Sequence, residues 1–600
     1  MKGFVLVCYN NNQENNVSNT VLENYLSDSD FLYKKNKYEN NLYDNVIGYQ
    51  LYNNNELDES YGGNVLLTGE CFGVFNDENK IKYSHKEYAE LVEQSDKTEF
   101  VKLDSDGVFC VIDEDEIYFQ NDITGIKKLF YYKDDNLFIL STSVPFLIRA
   151  VTKSWRIRKT SVLSYLCGRD VKWPYTFIDE ILVLPPLSIA NLSVDGLTLK
   201  SITFSELYNL ERVNKFELKT DLYKSYKNQV CRREEEKIAV TLSGGYDSNC
   251  LTKLFLQSKP NSFTAVSLGY ASKRVADKNI YDETVYAEKI AKKLKIPFKR
   301  YLINKLLFFE LLEEYVSLID QPGHDPSSNF ILNKMLKKDG FELVVNGLGG
   351  DANFASKKYI KIAFFLHSIF SNNVLYYLSK LFKFRGPFTY FKYLKDFGND
   401  IPTFYELYEK SLLFSSNIDS FISDEAKSLI LRDSLSRKDY ILNVKLKSKS
   451  FFDNYYSNTL LLNPCEYHAS LTAERLNIKI LIPFINVKSV LKVINGSHYN
   501  NINNREFEME IFNGIDKDLL ADKKSGFSFP YTEWMPPISE ELFSYYEDLD
   551  YFDLDKDFDF RGFVKKYRED SVFSKSIKSN ILIWKLLKVK KFVEINQLEF

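Results

Sequence analysis

Ile238-Ala239-Val240-Thr241-Leu242-Ser243-Gly244-Gly245-Tyr246-Asp247-Ser248 reads as a buried strand that runs straight into a glycine turn and then a helix. Glycines in such a turn let backbone N–H groups approach a phosphate, and the helix N-terminus adds partial positive charge. The lysine that ends a Walker A loop is missing, because Ser248-Asn249-Cys250 follows Asp247 where Gly-Lys-Ser/Thr would be needed. The loop instead fits the pyrophosphate end of ATP, with Asp247 placed to hold Mg²⁺.

Outward from this loop the chain alternates strand and helix. A helix through Leu222 to Val230 precedes it; a helix after Asp247, a strand Ser262 to Leu268, a helix Thr284 to Leu294 and a strand Leu343 to Asn346 follow. Such alternation predicts a parallel sheet with helices on both faces. Residues 355–460 are helical in texture and rich in Phe, Tyr, Leu and Lys. On the N-terminal side, short apolar segments at Phe4 to Val7, Val65 to Leu67, Gly107 to Ile112, Ile117 to Gln120 and Leu137 to Ser141 predict a β-rich domain. The polar stretch Ser205 to Phe216 reads as a linker, placing the boundary near residue 205.

Composition bounds the partners. With 44% hydrophobic and 15% aromatic residues the 600-residue chain has the apolar surface to fold. Lys plus Arg total 78 against 82 Asp plus Glu, so a net charge of −4 supplies no global field toward nucleic acid or anionic lipid, and neither is expected as a partner. Seven scattered cysteines without a C-x-x-C pair read as reduced core residues of a soluble, cytoplasmic protein, and no uninterrupted apolar stretch reaches the ~18 residues of a spanning helix. Asp553, Asp555, Asp557 and Asp559 alternate as calcium loops do, but Phe558 stands where Gly is needed and Val564 where Glu is needed, so they read as a solvated acidic loop.

Ser243-Gly244-Gly245-Tyr246-Asp247-Ser248 resembles the S-G-G-x-D-S loop of the ATP-pyrophosphatases, and further segments resemble the asparagine-synthetase branch in order and spacing. Leu318-Ile319-Asp320-Gln321-Pro322 with Asp325-Pro326-Ser327-Ser328 is similar to its D-x-P and D-P-S segment, with His324 between. Val345-Asn346-Gly347-Leu348-Gly349-Gly350-Asp351 resembles its G-x-G-G-D loop. Lys524-Ser525-Gly526-Phe527 with Pro530 and Trp534 is similar to its K-x-G-F-x-x-P segment, and Ile583-Trp584-Lys585-Leu586-Leu587 to its closing helix. Asp104 to Phe109, Asn121-Asp122-Ile123-Thr124-Gly125 and Lys128 to Tyr132 resemble the glutaminase domain.

The resemblance implies an α+β domain of N-terminal-nucleophile type, two stacked antiparallel sheets over 1–204, that is a degenerate glutaminase-like (class II amidotransferase) unit. An α/β parallel-sheet ATP-pyrophosphatase synthetase domain with helical additions follows over 217–600. It also implies an enzyme that adenylates a carboxylate, releases pyrophosphate and passes the acyl group to an amine. ATP would touch Leu242, Ser243, Gly244, Gly245, Asp247, Ser248, Ser267, Gly347, Gly349 and Gly350. Mg²⁺ would sit on Asp247 and Asp351, and Lys524 would stabilise negative charge in the transition state.

Departures from the pattern sharpen this expectation. A glutaminase of this type needs Cys after the initiator Met, and position 2 is Lys2; Thr68-Gly69-Glu70 replaces N-G-E, removing an oxyanion donor. Cys8, inside a strand pattern, reads as core, so no glutamine hydrolysis is expected. Where asparagine synthetases read E-x-R-x-P-F-L-D, Lys479-Ile480-Leu481-Ile482-Pro483-Phe484-Ile485-Asn486 stands, Leu348 takes a position often held by a proton-transferring residue, and Ala352 replaces Glu. These losses resemble the lasso-peptide macrolactam synthetases, which would make the carboxylate substrate a precursor peptide delivered with a partner protease. An amidotransferase fed by ammonia, making asparagine or a sugar-acid amide, and a nucleotide-binding scaffold stay open as alternatives.

Overall fold

The computed structural model describes residues 3–10, 17, 19–28, 32–52, 64–68, 71–74, 84–94, 103–105, 107–167, 171, 173–186, 188–201, 214–272, 283–323, 327–354, 365–366, 369–381, 419–423, 425–426, 429–430, 464–486, 489, 493, 505–512, 529–548 and 554–599. Strands in the first 201 residues are β1 (Gly3–Tyr9), β2 (Leu32–Tyr38), β3 (Asn45–Tyr52), β4 (Val65–Thr68), β5 (Cys71–Val74), β6 (Leu103–Ser105), β7 (Val108–Ile112), β8 (Ile117–Gln120), β9 (Phe130–Lys133), β10 (Leu137–Ser141), β11 (Leu182–Val183), β12 (Ser188–Ser193) and β13 (Gly196–Ser201). They form a six-stranded sheet ordered β11-β9-β10-β1-β3-β2 and a five-stranded sheet ordered β13-β12-β8-β7-β4, each antiparallel, with β5 and β6 paired separately.

Strand alternation explains why these sheets stack. Successive side chains of β1 point to opposite faces. Phe4, Leu6 and Cys8 join Leu66, Cys110, Phe119 and Ala190 of the second sheet in one core, whereas Val5, Val7 and Tyr9 join Leu22, Leu26, Phe146 and Leu147 from the helices Asn19–Asp28 and Val144–Ala150. The result is a two-sheet sandwich with helices over its outer face, the layered arrangement expected from the sequence.

The second domain is built on β14 (Ile238–Thr241), β15 (Phe263–Tyr270), β16 (Phe298–Ile303), β17 (Leu343–Val345) and β18 (Lys479–Leu481), all parallel and ordered β16-β15-β14-β17-β18. Ala239, Val266 and Val344 face Phe330 and Leu336, while Leu242 and Ala265 face Ala287, Ile290 and Ala291, so both faces are covered by helices. Strand order reverses between β14 and β17, and in open parallel sheets ligands bind beyond the carboxyl ends of the strands at such a reversal. The loops after β14 and β17 are those that carry Asp247 and Asp351.

The 355–460 region lies largely outside the described residues; within it the structure shows the helix Asn372–Leu381 and a 3₁₀ turn at Asp419–Phe421. Of the acidic stretch, Asp553 lies outside the described residues, and Asp557 is not solvated as expected. Asp557 is buried against Lys159, Nζ to Oδ2 2.5 Å, and Asp559 caps the helix Phe560–Glu569 by accepting from Gly562 N at 2.8 Å. A lysine from the other end of the chain thus does for Asp557 what solvent was expected to do.

Both domains share one core. The helix Ile577–Asn596 lays Phe592 on Phe177, 6.0 Å between ring centroids, and Lys585 Nζ donates to the carbonyls of Tyr165 and Leu166 at 2.7 and 3.1 Å, satisfying the end of the helix Lys159–Cys167. Glu599 then pairs with backbone at Trp155 and Ile157.

Candidate functional site

Strand β14 ends at Thr241, whose hydroxyl donates to Val345 O at 3.0 Å, locking its exit beside that of β17. Leu242, buried, donates its N–H to Val266 O at 2.8 Å. The chain then curls. Ser248 Oγ accepts from Ser243 N at 3.0 Å, Ser243 Oγ lies 3.0 Å from Ser248 Oγ, and Gly245 N donates to Ser243 Oγ at 3.1 Å. Asn249 Nδ2 closes the turn on Gly245 O at 2.8 Å. Gly245 is the N-cap of the helix Tyr246–Ser258 and offers no side chain to cap it. An uncapped helix start behind a glycine turn is suited to anion binding. Ser267 is buried on β15, the strand next to β14.

The second loop is shaped by its glycines. A Cβ on Gly347 would lie 3.2 Å from Ser248 N, and one on Gly350 would lie 2.0 Å from Asp247 Oδ1. Gly349 has φ +82° and would strike Ile485 Cγ2 at 2.4 Å. Gly347 and Gly350 therefore let the second loop close on the first, while Gly349 makes the left-handed turn between them. Asn353 Nδ2 donates to Phe484 O at 2.6 Å, holding the short helix Gly350–Phe354 to the segment after β18.

Asp247 and Asp351 converge on a cation that the sequence reading missed. Arg505 Nη1 lies 2.5 Å from Asp247 Oδ1 and 2.6 Å from Glu508 Oε2, and its Nη2 pairs with Asp351 Oδ1. Asp247 is nearly buried, with 10% of its side chain exposed, whereas Asp351 is 63% exposed and opens the cluster to solvent. Glu508 is fully buried; burial first, and the charge of Asp247 second, hold its carboxyl well above the usual range, with Arg505 opposing. Burial works against the charge of Arg505, but Asp247 and Glu508 outweigh it and raise its pKa. The guanidinium also sits 5.5 Å above the ring of Tyr246. The one signal available in sequence was the i,i+3 spacing of Arg505 and Glu508 on the helix Arg505–Ile511.

The glycine contact yields a specific expectation. Gly350→Ala must displace the Asp247 carboxylate, so nucleotide affinity should fall at least tenfold by titration calorimetry while the melting temperature shifts by only about 2 °C. Unchanged affinity would show that the contact does not matter.

Other expected residues fall elsewhere. Lys524 and His324 lie outside the described residues. Asp320 serves the domain junction: its carboxylate accepts from Arg475 Nη2 at 2.7 Å and Val144 N at 2.9 Å, and pairs with Tyr467 Oη. Asp122 accepts from the N–H groups of Thr124, Ile126 and Lys127, making Asn121 to Gly125 a structural turn. That turn sends Lys127 to Glu474 and Lys128 over the Tyr467 ring at 3.8 Å.

Lys2 lies outside the described residues. Cys8 is wholly buried and its thiol is pushed well above its ordinary value by burial, then by Cys110. Thr68 Oγ1 is buried without a hydrogen-bond partner and lines a cavity of about 20 Å³ with Lys127, Tyr467, Glu474 and Arg475, room for about one water. Lys479 pairs with Glu235 at 3.0 Å.

Residues 217–398 match the protein family described as asparagine synthase. The chain is similar to "Putative asparagine synthetase (glutamine-hydrolyzing) 2" of Methanocaldococcus jannaschii, 26% identical over 261 residues that cover 41% of this chain and 48% of that protein. To the same organism's "Putative asparagine synthetase (glutamine-hydrolyzing) 1" it is 24% identical over 307 residues, 48% of this chain and 52% of that one. The chain thus spans about half the length of these relatives. Among solved structures, the allosteric regulatory enzyme of purine biosynthesis aligns at 7% identity and a TM-score of 0.22 over 50% of this chain and 80% of its own, too slight a likeness to bear on function.

Proposed function

We propose, from the match of residues 217–398 to the family described as asparagine synthase, that the protein is an ATP-dependent, AMP-forming amide ligase. One observation carries the reading: two carboxylates from the loops on either side of the strand-order reversal meet at one cation, beside a glycine turn and an uncapped helix. A pair of carboxylates that share a cation has the donor set of a Mg²⁺ site completed by substrate phosphates, and Asp247 and Asp351 would hold it. When bound, Mg²⁺ would neutralise charge on the departing pyrophosphate. The chain's own residues do the rest. Ser243, Gly244, Gly245 and Ser248 orient the phosphates, the helix start at Tyr246 offers N–H donors, and Arg505, paired with both carboxylates, adds a positive charge beside them.

The reaction couples two group transfers. A substrate carboxylate oxygen attacks the α-phosphorus of ATP, and the bond to the bridging oxygen of pyrophosphate breaks. An amine then attacks the acyl carbon, AMP leaves, and the amine loses a proton. Lys524 is proposed to steady the negative charge. Leu348 cannot accept a proton, so the amine must be deprotonated by another group or arrive neutral.

We further propose that the enzyme runs without a glutaminase and closes a macrolactam in a ribosomal peptide, joining the N-terminal amine to an Asp or Glu side chain. Thr68 in place of Asn and the buried Cys8, whose thiol burial pushes well above its ordinary value, support the first part. An internal amine makes ammonia unnecessary, which supports the second.

The test is ATP–pyrophosphate exchange with purified protein and Mg²⁺, offering aspartate, sugar acids and linear peptides with an internal Asp or Glu in turn. Exchange that requires the peptide is expected. Exchange with aspartate alone would replace the macrolactam reading by an ammonia-dependent one, and nucleotide binding without exchange on any substrate would leave a scaffold.

A further inference from the structure

The cavity between the two domains is lined by groups that need an acceptor. Thr68 ends β4 opposite Val108 of β7, and the turn built on Asp122 delivers Lys127 and Lys128 beside it. From the second domain the helix Pro464–Arg475 brings Tyr467, Glu474 and Arg475; the last two stand seven and eight positions after Tyr467, so all three share one face. Two of these lining residues hold a buried polar atom with no hydrogen-bond partner, Thr68 Oγ1 and Arg475 Nε, and the residues are only 3% and 9% exposed. Arg475 commits its other two nitrogens to Leu318 O, Ser143 Oγ and Asp320. Buried polar groups are rarely left unpaired because desolvation is then uncompensated, and two such atoms on residues that line one cavity call for an occupant.

Donor chemistry and size identify that occupant. A guanidinium nitrogen and an ammonium group can only donate, and a threonine hydroxyl can donate as well. The lining carries three cationic side chains, Lys127, Lys128 and Arg475, and one carboxylate, Glu474; Asp320, paired with Arg475, is the second carboxylate of the cluster. Three cations to two carboxylates disfavour a further cation. A water could accept from both orphan donors, but it would bring two donors of its own into a lining already rich in them, whereas an anion brings none. The space, about 20 Å³, admits one particle of about the size of a water, which excludes sulfate, phosphate and larger carboxylates and leaves a halide.

We propose that this cavity is a halide site, in which one chloride accepts from Thr68 Oγ1 and Arg475 Nε and so joins the two domains. Its test compares melting of the full chain in chloride and in gluconate at equal ionic strength, so that screening is common to both. Chloride at about 100 times its half-saturating concentration should raise the melting temperature by about 2 °C. Thr68→Val removes the hydroxyl and keeps the shape. The half-saturating chloride concentration should then rise at least about tenfold, the loss of one hydrogen bond to a charged group. In gluconate the same variant should melt no lower than wild type, because a buried hydroxyl without a partner is gone. Thr68→Ser, which keeps the hydroxyl, should retain the chloride response. Crystals grown in bromide should show an anomalous scattering peak within hydrogen-bond distance of both Thr68 Oγ1 and Arg475 Nε. Equal melting in the two salts, an undiminished chloride response in Thr68→Val, or a cavity that holds a water in place of bromide would overturn the proposal.

Discussion

Arg475→Met is expected to lower the unfolding free energy by about 3–5 kcal/mol, the largest stability effect of any single change at the domain junction. Arg475 and Asp320 are 3% and 0% exposed at the side chain, and their pair at 2.7 Å is embedded in a network. Arg475 also donates to Ser143 Oγ at 2.8 Å and to Leu318 O, while Asp320 caps the helix Val144–Ala150 and holds Tyr467. Removing the guanidinium leaves a buried carboxylate with no cation, and desolvation makes that worse than never having had the pair. Asp320→Asn should cost less, because the amide oxygen can still accept from Val144 N. The double variant should be more stable than the sum of the two single losses predicts. Chemical denaturation followed by fluorescence reads this directly; a loss under about 1 kcal/mol in Arg475→Met would mean that the junction is held by its apolar contacts alone.

What was legible in the sequence follows from where the physical information lies. The β14 loop could be read because a four-residue apolar strand, a glycine turn and a helix start are consecutive, so each constrains the next. Cys8 could be assigned to the core because its period-two neighbours in β1 are apolar. β18 was read only as a motif: it is three residues long, and it becomes a strand through pairing with β17, more than 130 residues earlier. Arg505 was missed for the same reason, since its contact with Asp247 spans 258 positions. Asp320 is legible in the sequence only as part of a D-x-P motif, yet its burial with Arg475, 155 residues away, gives it a structural task. Asp557 misled in the opposite direction, because alternating acids look solvated until Lys159 is brought to them.

Asp247→Asn is expected to reduce ATP–pyrophosphate exchange by about 10³-fold, a loss of the size seen when a preorganised charge facing the reacting phosphates is removed. The substitution keeps the shape against which Gly350 packs, so loop closure should survive and only the charge is withdrawn. Arg505 retains Asp351 and Glu508 as partners, so the fold should hold, with the unfolding free energy within about 1 kcal/mol of wild type. Two roles for Asp247 can then be separated. If it acts by holding Mg²⁺, the variant should need far more Mg²⁺ for residual exchange, and Asp351→Asn should show the same displacement to a smaller degree because that side chain is more exposed. If it acts only by anchoring Arg505, then Arg505→Gln should reproduce the loss with the Mg²⁺ requirement unchanged. Exchange within tenfold of wild type in Asp247→Asn would remove the carboxylate pair from the chemistry, and the convergence of Asp247, Asp351 and Glu508 on Arg505 would then be a means of tying the helix Arg505–Ile511 to the two loops.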